Sequence, residues 1–178
     1  MRATIEWNHS TICLTGIEST PRIRPARQPQ RSLQATIQQL PADVRWALHD
    51  IAASDNGVVI AQALRDGTAV AVSDGSFKDK FGTAAWVIEG RRSDGRLEGQ
   101  CIIPGGPEDQ SAYRSELGGL YAIAAMVQVI CELHNIQEGS IEVACDGMNA
   151  LAQVGEADPI IRPNGAQYDI IAATQAKI

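Results

Sequence analysis

Asp74, Glu116 and Asp146 each sit where an apolar segment ends or begins, on segments that read as strand, helix and strand. A carboxylate beside a core-facing stripe is costly to ionise without compensation, and a divalent cation held by carboxylate oxygens is the usual compensation. Three acids so placed point to metal-assisted chemistry, in which a cation activates water or neutralises the charge of a phosphate.

The elements that must position them can be read from periodicity. In Thr68-Ala-Val-Ala-Val-Ser-Asp74-Gly75-Ser76 the period of two puts Val70, Val72 and Asp74 on one face, so Asp74 is expected to follow two buried valines. From Ser111 to about His134, Leu120, Ile123, Val127 and Ile130 recur at helical spacing, and stepping back four from Leu120 lands on Glu116 at the head of that stripe. Ile141-Glu-Val-Ala-Cys-Asp146-Gly147 alternates as a strand and runs into a short helix that Asp146 could cap. Ordinary roles compete with metal binding: Asp-Gly is a common turn pair and an acid before a helix is a common N-cap. Glu116 has neither excuse, which leaves it a boundary residue that snorkels or pairs with a base such as Arg114.

Ser73-Asp74-Gly75-Ser76 on a strand, Arg114-Ser115-Glu116-Leu117 opening a long helix and Cys145-Asp146-Gly147 ending a later strand together resemble the type 1 ribonuclease H domain. Gly82 to Ile88 and Leu97 to Ile103 would be the second and third strands of its antiparallel meander, and Leu40 to His49 looks like the approach to the nuclease segment of a retrotransposon polyprotein. The resemblance covers roughly residues 66 to 178. It implies an α/β fold: a ribonuclease H-like mixed sheet, with an antiparallel three-strand meander, then a helix and a parallel strand, flanked by helices and incomplete at the carboxyl end. It also implies hydrolysis of the RNA strand of an RNA–DNA hybrid with two Mg2+ ions, or Mn2+ as substitute. Asp74 would bridge both ions while Glu116 and Asp146 complete their shells, and the hybrid would be told from duplex DNA by its 2′-hydroxyls. A reverse transcriptase domain in the same polyprotein is the implied partner. The chain departs from the family where a histidine loop and a last helix with a fourth acid would follow: His9, His49 and His134 lie in other segments, and Asp169, in a segment that fits the family's intermediate helix, is not carried over. A truncated or degenerate copy with weakened turnover is therefore expected.

Composition bounds the rest. The 178 residues, 44% of them hydrophobic, suffice for one domain and an extension. The divisions read as 1–40, an extension with a Pro/Arg-rich linker at 21–31; 41–65, a helical connector with helices over Pro41 to Ala53 and Val58 to Leu64; and 66–178, the partial nuclease-like domain. Thr11 to Leu14 could be strand but has no evident partner, and Pro159 to Asn164 reads as a loop. Cys13, Cys101, Cys131 and Cys145 show neither metal spacing nor a disulfide framework and read as reduced core thiols of an intracellular protein. No signal peptide is evident, so the Asn8-His-Ser10 sequon reads as accidental; no stretch approaches the roughly 20 apolar residues of a membrane span. Residues 1–46 carry six Arg/Lys against three Asp/Glu and the remainder nine against eighteen, a balance that opposes unaided binding to phosphates. Two other classes stand beside the hydrolase. One is a catalytically dead connector or nucleic-acid-binding domain of a retroelement polyprotein. The other is a phosphotransferase fragment of the actin and sugar-kinase type, gripping phosphates with Asp74-Gly75-Ser76, for which a chain this short lacks room for both lobes.

Overall fold

A computed structural model describes residues 11–14, 32–91, 94–155 and 167–177. The elements run β1 (Thr11–Leu14), α1 (Leu33–Gln38), α2 (Ala42–Arg45) continued by a 3-10 turn (Trp46–Leu48), β2 (Asp50–Ala53), α3 (Val58–Arg65), β3 (Ala69–Lys78), β4 (Phe81–Gly90) and β5 (Arg96–Ile102). There follow α4 (Ala112–His134), β6 (Gly139–Cys145), α5 (Met148–Gly155) and α6 (Tyr168–Gln175). Six strands form one mixed sheet in the order β1-β6-β3-β4-β5-β2, in which β3 and β6 are parallel and every other neighbouring pair is antiparallel. The expected meander is β3-β4-β5, and the expected parallel strand is β6, reached through α4 as a parallel neighbour requires. The linker at 21–31, the loop at 159–164, the sequon and His9 lie outside the described residues.

Helix α4 is bounded by local signals. Ser111 caps it by accepting a hydrogen bond from the Arg114 amide at 3.0 Å, and Asn135 ends it in the left-handed conformation at φ 51°. It packs on β3 and β4, and small residues let it come close. A Cβ on Gly119 would stand 2.8 Å from the Ser73 Cβ, and one on Gly75 would stand 2.6 Å from the Ser115 carbonyl carbon. Those approaches decide which face of β3 is buried. Ala69, Ala71 and Ser73 face the helix and are at most 3% exposed, whereas Val72 on the other face is 49% exposed. Asp74 therefore does not follow two buried valines: Val70 is half-buried, Val72 is open, and both share Asp74's outward face. The valine alternation was a sound strand signal but the wrong face signal, because backbone-close packing selects small side chains over large ones.

The helical expectation over Pro41 to Ala53 also fails in part. The helix stops at Arg45, a 3-10 turn follows, and Asp50–Ala53 pairs antiparallel with β5 from Asp50↔Gln100 to Ala53↔Leu97. Edge hydrogen bonds of the sheet outweigh the helical spacing of Val44, Leu48 and Ile51. Thr11–Leu14 finds its partner in β6, with Thr11↔Glu142 to Leu14↔Gly139 in register. The core runs without a break from Leu33, Ile37 and Leu48 to Leu97, Leu117, Met126, Ile141 and Ile171, so segments assigned to an extension and a connector contribute to the same interior. One helix, Ala112–His134, is after all long and apolar enough to cross a membrane, but 72% of its most apolar window is buried inside the protein; it is the central helix of the core.

Candidate metal centre

The site lies where the parallel pair ends. The last register pair of β3 and β6 is Ser73↔Cys145, so Asp74 and Asp146 are the next residues outward on two strands lying roughly 4.8 Å apart. The first turns of α4 cross above the glycines that follow them, Gly75 and Gly147. Ser115 fastens that crossing: its one hydroxyl proton is shared between the Ser76 carbonyl at 3.0 Å and the Ser111 carbonyl at 3.1 Å. Gly147 leaves the space that the Glu116 side chain fills, for a Cβ there would stand 2.8 Å from the Glu116 Cγ. Two glycines thus fix Glu116: Gly75 beneath its backbone and Gly147 beneath its side chain.

One ligand atom each from Glu116, Cys145 and Asp146 lie within 4.8 Å of one another. Two of the three sequence-derived acids are thereby brought together. At that spacing two ionised carboxylates repel by about 1 kcal/mol in water-like surroundings and about 3 kcal/mol at an effective dielectric near 20. The Glu116 carboxyl is accordingly held above its ordinary 4.5, first by burial and then by the Asp146 charge, against which the Cys145 thiol and the Gly75 amide act. The Cys145 Sγ donates to Glu116 Oε2 at 3.0 Å. Burial pushes that thiol up to about 12, reinforced by the Glu116 carboxylate, with the Gly147 amide and the Ser73 hydroxyl pulling the other way. Among the described residues no base pairs with Glu116 or Asp146.

Asp74, the third acid, is not in that group. It is exposed on the face of β3 that turns away from α4, and its carboxylate has no hydrogen bond or ion pair among the described residues. It borders a shallow groove on the open sheet face with Val72, Ala85, Val87 and Gln100. Arg114, the expected partner of Glu116, is committed elsewhere. Buried to 4% exposure, it donates through Nε to the Pro104 carbonyl at 2.9 Å and binds both Asp169 oxygens at 2.9 and 2.6 Å. The Arg114 guanidinium holds the Asp169 carboxyl below the usual range, and Asp169 thus serves as a structural counter-ion. The cap expected of Asp146 is not formed by its side chain: the first helical carbonyl of α5 is that of Gly147, which accepts from the Leu151 amide at 3.1 Å, while the Asp146 carbonyl accepts from the Met148 amide at 2.9 Å in a tight turn before the helix.

Cys145 is the residue that sequence reasoning missed by assigning it to the core. Its signal was available: it is adjacent to Asp146 and shares the inward face with Ile141 and Val143. The paired carboxylates, short of counter-charge, fit a divalent cation; the thiol beside them is a soft donor that magnesium does not seek. No protein-family model, curated protein or solved structure matches the chain.

Proposed function

We propose that the chain is a divalent-metal-dependent phosphodiester hydrolase of the ribonuclease H type, acting on the RNA strand of RNA–DNA hybrids with Mg2+ or Mn2+. The observation that carries this reading is the meeting of Glu116 and Asp146 at the end of the parallel β3–β6 pair, beneath the first turns of α4. When bound, the cation supplies an activated water and neutralises charge on the phosphate and leaving oxygen. Glu116 and Asp146 would hold it, and the Gly75 and Gly147 contacts fix where the Glu116 backbone and side chain lie. Asp74 follows the last residue of β3 that pairs with β6 and has an uncommitted carboxylate, open to substrate on the uncovered face. The proposed setting is a reducing, intracellular one alongside a reverse transcriptase, in keeping with the buried free thiols Cys101 and Cys131.

A second reading, a catalytically silent connector or binding domain of a retroelement polyprotein, is favoured by the placement of Asp74 outside the cluster and by the commitment of Asp169 to Arg114. Labelled RNA–DNA hybrid, duplex DNA and ATP, each incubated with wild-type protein and with Asp146→Asn in Mg2+ or Mn2+, separate the readings. Hybrid-specific cleavage that Asp146→Asn abolishes supports the hydrolase. Cation binding without cleavage supports the connector, and turnover of ATP alone would revive the phosphotransferase.

A further inference from the structure

We propose that Glu116, Cys145 and Asp146 form a mixed sulfur–oxygen site that prefers a thiophilic divalent cation, zinc or cadmium, to magnesium. The inference rests on the carboxylate pair used in the functional reading but not on hydrolysis. Three donor atoms within 4.8 Å can reach one ion, and one of the three is sulfur. Thiolate donors select ions such as zinc, while magnesium keeps to oxygen. Neither Cys101 nor Cys131 belongs to such a group among the described residues.

An independent observation comes from the strand beside it. Ser73 is 3% exposed, and its Oγ has no hydrogen-bond partner among the described residues. It sits opposite Cys145 in the parallel register, on the same inward face, with Gly119 packed over it. Its neighbour across that register is Cys145, whose sulfur is a weak acceptor as a thiol and a strong one as a thiolate. A buried, unpartnered hydroxyl on the strand position beside that sulfur is the outer support that a metal-bound thiolate would take. Binding would break the Cys145 S–H bond and form a metal–sulfur bond. The proton would leave by way of Glu116 Oε2, which already accepts it at 3.0 Å, and pass to solvent.

The test is titration of the purified chain with cadmium, followed by the ultraviolet sulfur-to-cadmium charge-transfer band, with calorimetry for zinc, magnesium and manganese. A one-to-one band is expected in wild type and in Cys13→Ser, displaced by zinc and absent in Cys145→Ser. Ser73→Ala, which keeps the thiol, should weaken zinc about ten- to a hundred-fold and leave manganese unchanged. A missing band in wild type, or a band that survives in Cys145→Ser, overturns the proposal. Manganese binding that persists in Cys145→Ser and vanishes in Glu116→Gln would leave the carboxylate site standing even then, whereas no manganese binding in wild type would remove the functional reading as well.

Discussion

Gly75 is the point where fold and site can be perturbed by one carbon. A Cβ there would lie 2.6 Å from the Ser115 carbonyl carbon, 2.9 Å from the Glu116 Cα and closer still to the Glu116 amide nitrogen. These are backbone atoms, so no side-chain rotation relieves the clash, and α4 must lift from β3. Overpacking of this kind costs typically about 1–3 kcal/mol. Alanine's smaller backbone entropy in the unfolded chain returns about 0.4–1 kcal/mol, and Gly75 has no positive φ that would add strain. Gly75→Ala should therefore lose about 1–2 kcal/mol net, a fall in melting temperature of roughly 2–8 °C for a chain of this size. Ser76→Ala is the control: Ser76 is exposed, and the carbonyl that Ser115 uses survives the change, so a shift below about 0.5 kcal/mol is expected. Because the displaced backbone is that of Glu116, manganese affinity by calorimetry should fall along with stability. A Gly75→Ala protein that melts at or above the wild-type temperature would refute the close approach, and one that melts lower with unchanged manganese affinity would refute its link to the site.

The titrations of Glu116 and Asp169 run in opposite senses. Glu116 is held above 4.5 in the fold, so the metal-free protein should lose stability as pH rises from 4.5 through that raised value. Glu116→Gln should remove this loss and melt higher than wild type at neutral pH in chelator; a variant that melts lower would count against the crowding. Asp169 is held below its ordinary 3.8 by Arg114, so its contribution is complete above 3.8 and disappears as pH falls through the depressed value. Asp169→Ala strands a buried guanidinium. Breaking a fully buried pair costs about 3–5 kcal/mol, and with the Asp169 side chain 62% exposed we expect about 1–3 kcal/mol at neutral pH. Urea unfolding measures it, and a loss under about 0.5 kcal/mol would show the pair to be incidental.

Elements written in local chemistry were legible from the sequence: α4 between the Ser111 cap and Asn135, the alternating strands β3 to β6, and α3 after Asp55-Asn-Gly57. Asp74, Glu116 and Asp146 were singled out together by their positions on those elements, and the structure brings Glu116 and Asp146, but not Asp74, into one group within 4.8 Å. Contacts between segments distant along the chain were not legible. The antiparallel partners of β1 and β2, the union of Arg114 with Asp169 and the place of Cys145 beside Glu116 all depend on backbones that meet only when folded. The face of β3 shows the reason most clearly. Periodicity alone determined that Val70, Val72 and Asp74 share a side and that Ala69, Ala71 and Ser73 share the other, but not which side is covered. The close seat of α4, made possible by Gly75 and Gly119, has room only for the smaller set, and that steric fit, which no hydrophobicity pattern encodes, turned Asp74 outward.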